Sequence, residues 1–194
     1  EAGLGSLPGG GAEILAGAFR RRVSPKKCSG REWIEAMRTA AELGMPATAT
    51  MVFGMGALID DRITHLAMIR DLQDETGVFT AFIPWTYQPG NTALGGSAVG
   101  GHDYLRTLAI SRLFLDNIEN VQASWVTQGR EIAQLALRFG ANDFGSTMIE
   151  ENVVASTGVS FRTSKHEIIN AIRAAGFAPA QRDTYYNILR RWDM

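Results

Sequence analysis

Short apolar strands alternate with amphipathic helices along most of this 194-residue chain, and this alternation limits the folds open to it. The apolar runs predict strands at residues 45–53, 78–84, 121–126 and 142–146. Helical spacing predicts helices at residues 29–43, 60–74, 102–117 and 130–139. Strands separated by helices are typical of βαβ units, so we predict an α/β fold with a parallel sheet and outer helices.

Capping patterns mark the ends of two predicted helices. Ser29 stands three residues before Glu32, and Ser164 stands three residues before Glu167, which is the spacing of a capping box. Gly44 is placed to end the first of these helices. The second box predicts a helix through residue 175, and residues 181–192 are predicted to form a last helix.

The composition excludes several classes of protein. A hydrophobic content of 45% is that of a globular protein, and the net charge of −1 gives no sign of binding to nucleic acid or to a membrane surface. No signal peptide is evident, and no apolar run approaches the roughly 20 residues that span a bilayer. The single cysteine, Cys28, excludes an intrachain disulfide and fits a reducing compartment. We therefore expect a cytoplasmic protein that acts on a small molecule.

Four parallel strands with outer helices equal half of an eight-stranded barrel. An isolated half-barrel would leave two unpaired edges, which folded proteins avoid. Since the sequence also opens at Glu1 without an initiator methionine, we expect a piece of a longer chain, although an open sheet remains an alternative. The 194 residues are predicted to be one domain, with barrel units to about residue 150 and helices over about 151–194. In such folds ligands bind at the carboxyl ends of the strands.

Seven segments spread over the chain carry a resemblance to one family. They are residues 6–14 (SLPGGGAEI), 72–76 (LQDET), 80–88 (TAFIPWTYQ), 104–109 (YLRTLA), 122–129 (QASWVTQG), 140–154 (GANDFGSTMIEENVV) and 180–184 (AQRDT). The chain resembles the radical S-adenosylmethionine (radical SAM) enzymes of menaquinone biosynthesis by the futalosine route, most closely the cyclic dehypoxanthinyl futalosine synthases. Aminofutalosine synthases and deazaflavin-forming synthases share some of these motifs. Trp85 and residues 124–129 favour the cyclic synthases.

The resemblance implies both a fold and a reaction. The fold would be the C-terminal half of a (β/α)8 radical SAM barrel of the TIM type, with a C-terminal helical extension. In the family, a 4Fe-4S cluster that receives its electron from an external donor reduces S-adenosylmethionine, and the resulting radical converts dehypoxanthine futalosine into its cyclic form. The family's cluster cysteines, in a CxxxCxxC loop, are absent, so this chain alone is expected to be an inactive part of an oxidoreductase. The alternatives are a sibling synthase or a non-catalytic α/β module that binds futalosine derivatives.

The resemblance also implies contacts to S-adenosylmethionine. Glu13, after the glycines Gly10 and Gly11, would contact its ribose or methionine moiety, and Gly54 would lie close to it. Ala57 departs from the family, which usually carries a glutamate there. The alternative for Glu13 is a carboxylate at a helix start, where the helix dipole favours it.

Eight polar and aromatic residues at or after the predicted strand ends, together with Arg182 in the predicted last helix, form the candidate substrate site. They are Trp85, Thr86, Gln88, Thr127, Gln128, Ser146, Thr147, Glu150 and Arg182. A guanidinium at Arg182 suits a substrate carboxylate because its fork is bidentate, and a salt bridge to Asp183 or another neighbour is the alternative. The alternative for Glu150 is a solvated position beside Glu151. The histidines lack partners at metal-ligand spacing, so no metal site is predicted, and no catalytic residue is assigned.

Overall fold

A computed structural model describes residues 3–148 and 150–193; Glu1, Ala2, Ile149 and Met194 of the predicted domain lie outside the described part. Three strands form a parallel sheet in the order β1 (Ala47–Phe53), β2 (Phe79–Thr86) and β3 (Asn120–Val121). Single parallel bridges extend this sheet on both sides, from Leu7 to Ala47 and from Gln122 to Asp143. The predicted α/β class with a parallel sheet is therefore confirmed.

Helices follow the strands in the predicted alternation. They are α1 (Gly17–Val23), α2 (Gly30–Glu42), α3 (Ile59–Thr76), α4 (Gly101–Phe114), α5 (Trp125–Ala136) and α6 (Lys165–Ala174), with short 3-10 helices at Leu137–Phe139 and Ala155–Thr157. Both predicted capping boxes are present, at Ser29 with Glu32 and at Ser164 with Glu167. In the described residues, no helix combines the length and apolar character needed to cross a membrane.

The two faces of β1 are buried to different extents. Ala49, Met51 and Phe53 are fully buried in the core, whereas Thr48 and Thr50 on the opposite face are only half-buried. Successive side chains of a strand point to opposite faces, so the helices cover one face of the sheet and leave the other partly open. The open face is the one that would line the interior of a closed barrel.

The predicted strand at residues 121–126 is wrong in its second half. The strand is limited to Asn120–Val121, and α5 begins at Trp125. The hydroxyl of buried Tyr104 accepts a hydrogen bond from the backbone N–H of Ser124 at 2.7 Å, so that group needs no strand partner. α5 breaks at Gly129, where φ is 81°, and its second part runs on from Arg130 as predicted. The predicted strand at residues 142–146 is reduced to the single bridge at Asp143.

The predicted helix at residues 181–192 is also wrong. This segment forms an antiparallel hairpin of β4 (Ala180–Arg182) and β5 (Ile188–Arg191), so the C-terminal extension consists of α6 and a hairpin. The Asp183 carboxylate accepts hydrogen bonds from the backbone N–H groups of Tyr185 and Asn187, at 2.8 and 2.9 Å. Such side-chain bonds compete with the hydrogen bonds of a helix and favour a turn.

Candidate functional site

The glycine-rich loop at residues 9–13 lies along β1. The N–H of Gly9 donates to Thr48 Oγ1 at 2.9 Å, and farther along the N–H of Val52 donates to the carbonyl of Glu13 at 2.9 Å. Gly10 and Gly11 border open space, because no heavy atom would lie within 4 Å of a Cβ added at either position. A ligand can therefore approach the backbone of these two residues closely.

Glu13 reaches the carboxyl half of β1, and neighbouring cations hold it in place. Its backbone has a φ of 40°, and its side chain is 15% exposed. The carboxylate forms an ion pair with Lys27 and lies 3.5 Å from the guanidinium of Arg20. Because α1 begins only at Gly17 and has no acidic residue in its first turn, the helix-start explanation of Glu13 does not apply.

His65 on α3 supports the segment that follows Glu13. Its Nδ1 accepts a hydrogen bond from the backbone N–H of Leu15 at 3.1 Å, and the side chain is fully buried. Burial and the nearby charge of Arg20 lower the pKa of His65 to about 3. The imidazole is therefore neutral in the folded protein at physiological pH.

Acidification is expected to destabilise the protein through His65. Between pH 6.5 and 3 the unfolded chain binds a proton at His65 and the folded chain does not. The contribution of His65 to the free energy of unfolding is therefore fully present above pH 6.5 and is lost progressively as the pH falls. The loss between pH 7 and pH 5 should be about 2 kcal/mol. Urea unfolding at the two pH values measures it. His65→Gln should flatten the dependence, and the exposed control His102→Gln should leave it unchanged; equal slopes in the two variants would contradict the assignment.

Four of the predicted substrate residues come together where β2 ends and α5 begins. Thr86, Gln88 and Thr127 are buried, and Gln128 is half-buried. Thr86 Oγ1 accepts from Gln88 Nε2 at 2.9 Å and from Gln128 Nε2 at 2.8 Å. Thr86 pairs in register with Phe53 and so lies on the helix-covered face of the sheet. These contacts join the end of β2 to the first turn of α5, and contact with a substrate stays a prediction.

Trp85 projects from the other face of the sheet. It is half-buried and pairs in register with Val52, on the face that the helices leave open. Gly54 follows β1 with a φ of 116°, and an added Cβ there would lie 2.4 Å from Val99 Cγ2. Conformation and packing thus both require glycine at this position.

A cavity of about 930 Å³ lies between the Asp143 segment, α6 and the C-terminal hairpin. Of the predicted site residues, Ser146, Thr147 and Arg182 line it. Its volume lies within the range of about 300–1,000 Å³ found for small-molecule pockets. Glu150 is exposed and is not among the lining residues.

The guanidinium of Arg182 is already paired. Its Nε donates to Asp143 Oδ2 at 2.8 Å, its Nη1 donates to the carbonyl of Asp183, and it stacks 3.9 Å from the ring centre of Tyr186. The alternative expected was a surface salt bridge to Asp183 or a neighbour; the ion pair is instead formed with Asp143, whose side chain is nearly buried. It ties the hairpin to the outermost segment of the sheet, and a role in substrate binding stays a prediction.

Cysteine and histidine, the usual soft ligands of metals, are few in this sequence: one cysteine and three histidines. The part of the chain that the structure describes contains no group of three or more histidine, cysteine or carboxylate side chains arranged to hold a metal ion. Cys28 is exposed and is the single cysteine of the sequence. A 4Fe-4S cluster is held by several cysteine thiolates, so the residues present do not fit one.

Sequence reasoning missed two buried residues beside the glycine-rich loop, Arg20 and His65. Arg20 is the first of three consecutive arginines, and its neighbours Arg21 and Arg22 are exposed. The sequence of this run gives no sign of which arginine is buried. His65 falls within the helical pattern of α3, where a histidine carries no distinctive spacing.

Comparison with known proteins identifies the family. A protein-family model described as the CofH/MqnC C-terminal region matches residues 76–193, which is more than half of the chain. The chain belongs to the CofH/MqnC C-terminal region family. The family resemblance found in the sequence is therefore confirmed.

Relatives in the CofH/MqnC group carry several enzyme names. A cyclic dehypoxanthine futalosine synthase of Halalkalibacterium halodurans is 52% identical over 194 residues, covering 100% of this chain and 52% of the relative. A 5-amino-6-(D-ribitylamino)uracil–L-tyrosine 4-hydroxyphenyl transferase of Archaeoglobus fulgidus is 44% identical, covering 96% of this chain and 56% of the relative. An aminodeoxyfutalosine synthase of Thermus thermophilus is 41% identical, covering 100% of this chain and 54% of the relative. The chain spans about half the length of the curated relatives that it matches.

Proposed function

We propose that this chain forms the C-terminal part of a cyclic dehypoxanthine futalosine synthase, which converts dehypoxanthine futalosine into its cyclic form for menaquinone synthesis. The observation that carries the proposal is the 52% identity over the whole chain to a protein of that name. Relatives named for the sibling reactions are 44% and 41% identical over similar lengths. The proposal includes a cytoplasmic location, a small-molecule substrate and an external reductant.

The two edges of the sheet support a closed barrel in the complete protein. The Leu7 segment pairs with β1 at one edge of the sheet, and the Asp143 segment pairs with Gln122 at the opposite edge. We infer that strands outside these 194 residues pair with both edges and cover the half-open face of β1. Residues 1–150 would then supply barrel units, and residues 151–194 would pack beside them as one domain.

The glycine-rich loop is the proposed site for S-adenosylmethionine. Open space at Gly10 and Gly11 leaves room for the cofactor, and the partly exposed Glu13 carboxylate can accept hydrogen bonds from its hydroxyl or ammonium groups. A reduced 4Fe-4S cluster held by another part of the protein would supply the electron for cofactor cleavage. The contribution of this chain would be to bind and orient S-adenosylmethionine, with Gly54 placed at the end of β1.

The proposed substrate side runs from β2 to the cavity. Trp85 faces the open side of the sheet, where its indole can stack on an aromatic substrate. The hydroxyls of Ser146 and Thr147 are exposed at the cavity and can donate to or accept from the substrate. A hydrogen-bonded group would hold the end of β2 against α5; its members are Thr86, Gln88, Thr127 and Gln128. Arg182 would hold the C-terminal hairpin against the Asp143 segment, and the exposed Glu150 would lie outside the cavity lining.

Activity of the complete protein tests this proposal. After anaerobic cluster reconstitution, we expect it to consume dehypoxanthine futalosine and S-adenosylmethionine and to release the cyclic product, as measured by mass spectrometry. Residues 1–194 alone should be inactive. Turnover of a sibling synthase's substrate instead would assign the chain to that sibling. Binding of futalosine derivatives by a complete protein that never takes up iron would favour a non-catalytic module.

A further inference from the structure

The carbonyl groups of the glycine-rich loop all point into the protein. Their hydrogen-bond donors are Thr50 Oγ1 for Gly9, Trp33 Nε1 for Gly10, the Arg20 guanidinium for Gly11 and Ala12, and the Val52 N–H for Glu13. By contrast, the N–H groups of residues 10–13 have no acceptor among residues 3–148 and 150–193; Gly10 and Gly11 are exposed, whereas Ala12 is fully buried. The exposed residues Gly10 and Gly11 therefore offer two successive free N–H groups, and such groups form sites for ligand oxygens.

Arg20 makes the largest contribution to this orientation. Its Nη2 donates to the carbonyl of Gly11 at 2.9 Å, its Nη1 to the carbonyl of Ala12 at 2.5 Å, and its Nε to the carbonyl of Cys28 at 2.6 Å. The residue is only 2% exposed. Burying a guanidinium is costly unless its donors are satisfied, and here backbone oxygens from two separate segments satisfy them.

The loop needs such a support because its backbone is strained. Glu13 has a φ of 40° although it is not a glycine. A non-glycine residue in this region costs on the order of 1 kcal/mol or more and persists only when its surroundings hold it there. The planar fork of arginine fixes two neighbouring carbonyls at once, which the single ammonium of lysine cannot do.

Resting on the proposed cofactor role of this loop, we propose that Arg20 is a positioning residue for S-adenosylmethionine. It holds the carbonyls of Gly11 and Ala12 inward, and with Lys27 it fixes the Glu13 carboxylate. The free N–H groups and one carboxylate edge then meet the polar groups of the cofactor. Arg20 is too deeply buried to touch the cofactor itself.

The test compares Arg20→Lys with Arg21→Lys, an exposed neighbour, in the complete protein with its cluster reconstituted. Calorimetry with S-adenosylmethionine should give a Kd at least about tenfold higher for Arg20→Lys and an unchanged Kd for Arg21→Lys. KM for the cofactor should rise more than kcat falls. In Arg20→Ala, added methylguanidinium should restore part of the affinity, because it can donate to the same two carbonyls.

Hydrogen exchange separates this inference from the proposed function on which it rests. In the unmodified protein, S-adenosylmethionine should slow exchange at residues 10–13. If exchange there is unaffected, the cofactor site itself is wrong. If exchange slows but Arg20→Lys binds as tightly as the unmodified protein, the role of Arg20 alone is overturned. A folding failure of Arg20→Lys would likewise overturn it, because the residue would then be a general structural requirement.

Discussion

Alanine at Gly9 is expected to detach the glycine-rich loop from the sheet. An added Cβ would lie 2.2 Å from the carbonyl oxygen of Thr48 and 2.9 Å from the Cα of Ala49. Both are backbone atoms of β1, so no flexible side chain can move aside, and overpacking of this kind should cost about 3 kcal/mol. Urea unfolding of Gly9→Ala would measure the loss as a lower midpoint with an unchanged slope.

Gly10→Ala is the matched control. An added Cβ at Gly10 meets no heavy atom within 4 Å, and its backbone φ lies outside the left-handed region. The free energy of unfolding should change by no more than about 0.5 kcal/mol. Equal midpoints for the two variants would show that the loop does not pack against Thr48 as described.

Local patterns predicted the parts of the fold that depend on local interactions. The capping boxes at Ser29 and Ser164 and the strands β1 and β2 follow from neighbouring residues, and the structure contains them. The second half of the strand predicted at residues 121–126 and the last helix were wrong because the deciding contacts are specific side-chain bonds. Tyr104 bonds to Ser124, and Asp183 bonds within its own turn. The turn at Asp183 could have been recognised from its sequence, whereas the Tyr104 contact depends on tertiary packing.

In the candidate site too, some features follow from local sequence and others depend on tertiary contacts. The rule that ligands bind at the carboxyl ends of parallel strands predicts that the strand-end residues gather at one edge, and Thr86, Gln88, Thr127 and Gln128 do form one hydrogen-bonded group. Because successive side chains of a strand point to opposite faces of the sheet, Trp85 and Thr86 cannot share one face. The sequence prediction placed both in one substrate site without drawing this distinction. The burial of Arg20 could not be predicted, because three consecutive arginines are alike in sequence.

The two edges of the sheet carry different parts of the proposed chemistry. The glycine-rich loop with Glu13 lies beside β1, and the cavity with Ser146 lies beyond β3 at the Asp143 edge. In a barrel that closes between these edges, the added strands would lie between these two regions.

Removal of the Arg62 guanidinium is expected to weaken the packing of α3 on α4 strongly. Arg62 is 8% exposed, makes two hydrogen bonds of 2.9–3.0 Å to the Asp103 carboxylate, and lies 4.6 Å from the ring centre of Phe53. Arg62→Met would keep much of the side-chain volume but leave Asp103 and the hydroxyl of Thr107 without this partner. Breaking a buried pair costs about 3–5 kcal/mol, and partial exposure of Asp103 reduces our expectation to about 2–3 kcal/mol.

Arg106 provides the matched control, because it pairs with the same carboxylate from the surface. Its side chain is 59% exposed, and it contacts Asp103 at 2.9 Å one helical turn away. Arg106→Met should cost no more than about 0.5 kcal/mol, since exposed pairs contribute little. The hydrogen bond from Arg62 is also the main reason that the pKa of Asp103 is lowered, so Arg62→Met should raise that pKa and Arg106→Met should change it less. Urea unfolding and carboxylate titration by NMR measure the two effects; similar losses in both variants would contradict a buried role for Arg62.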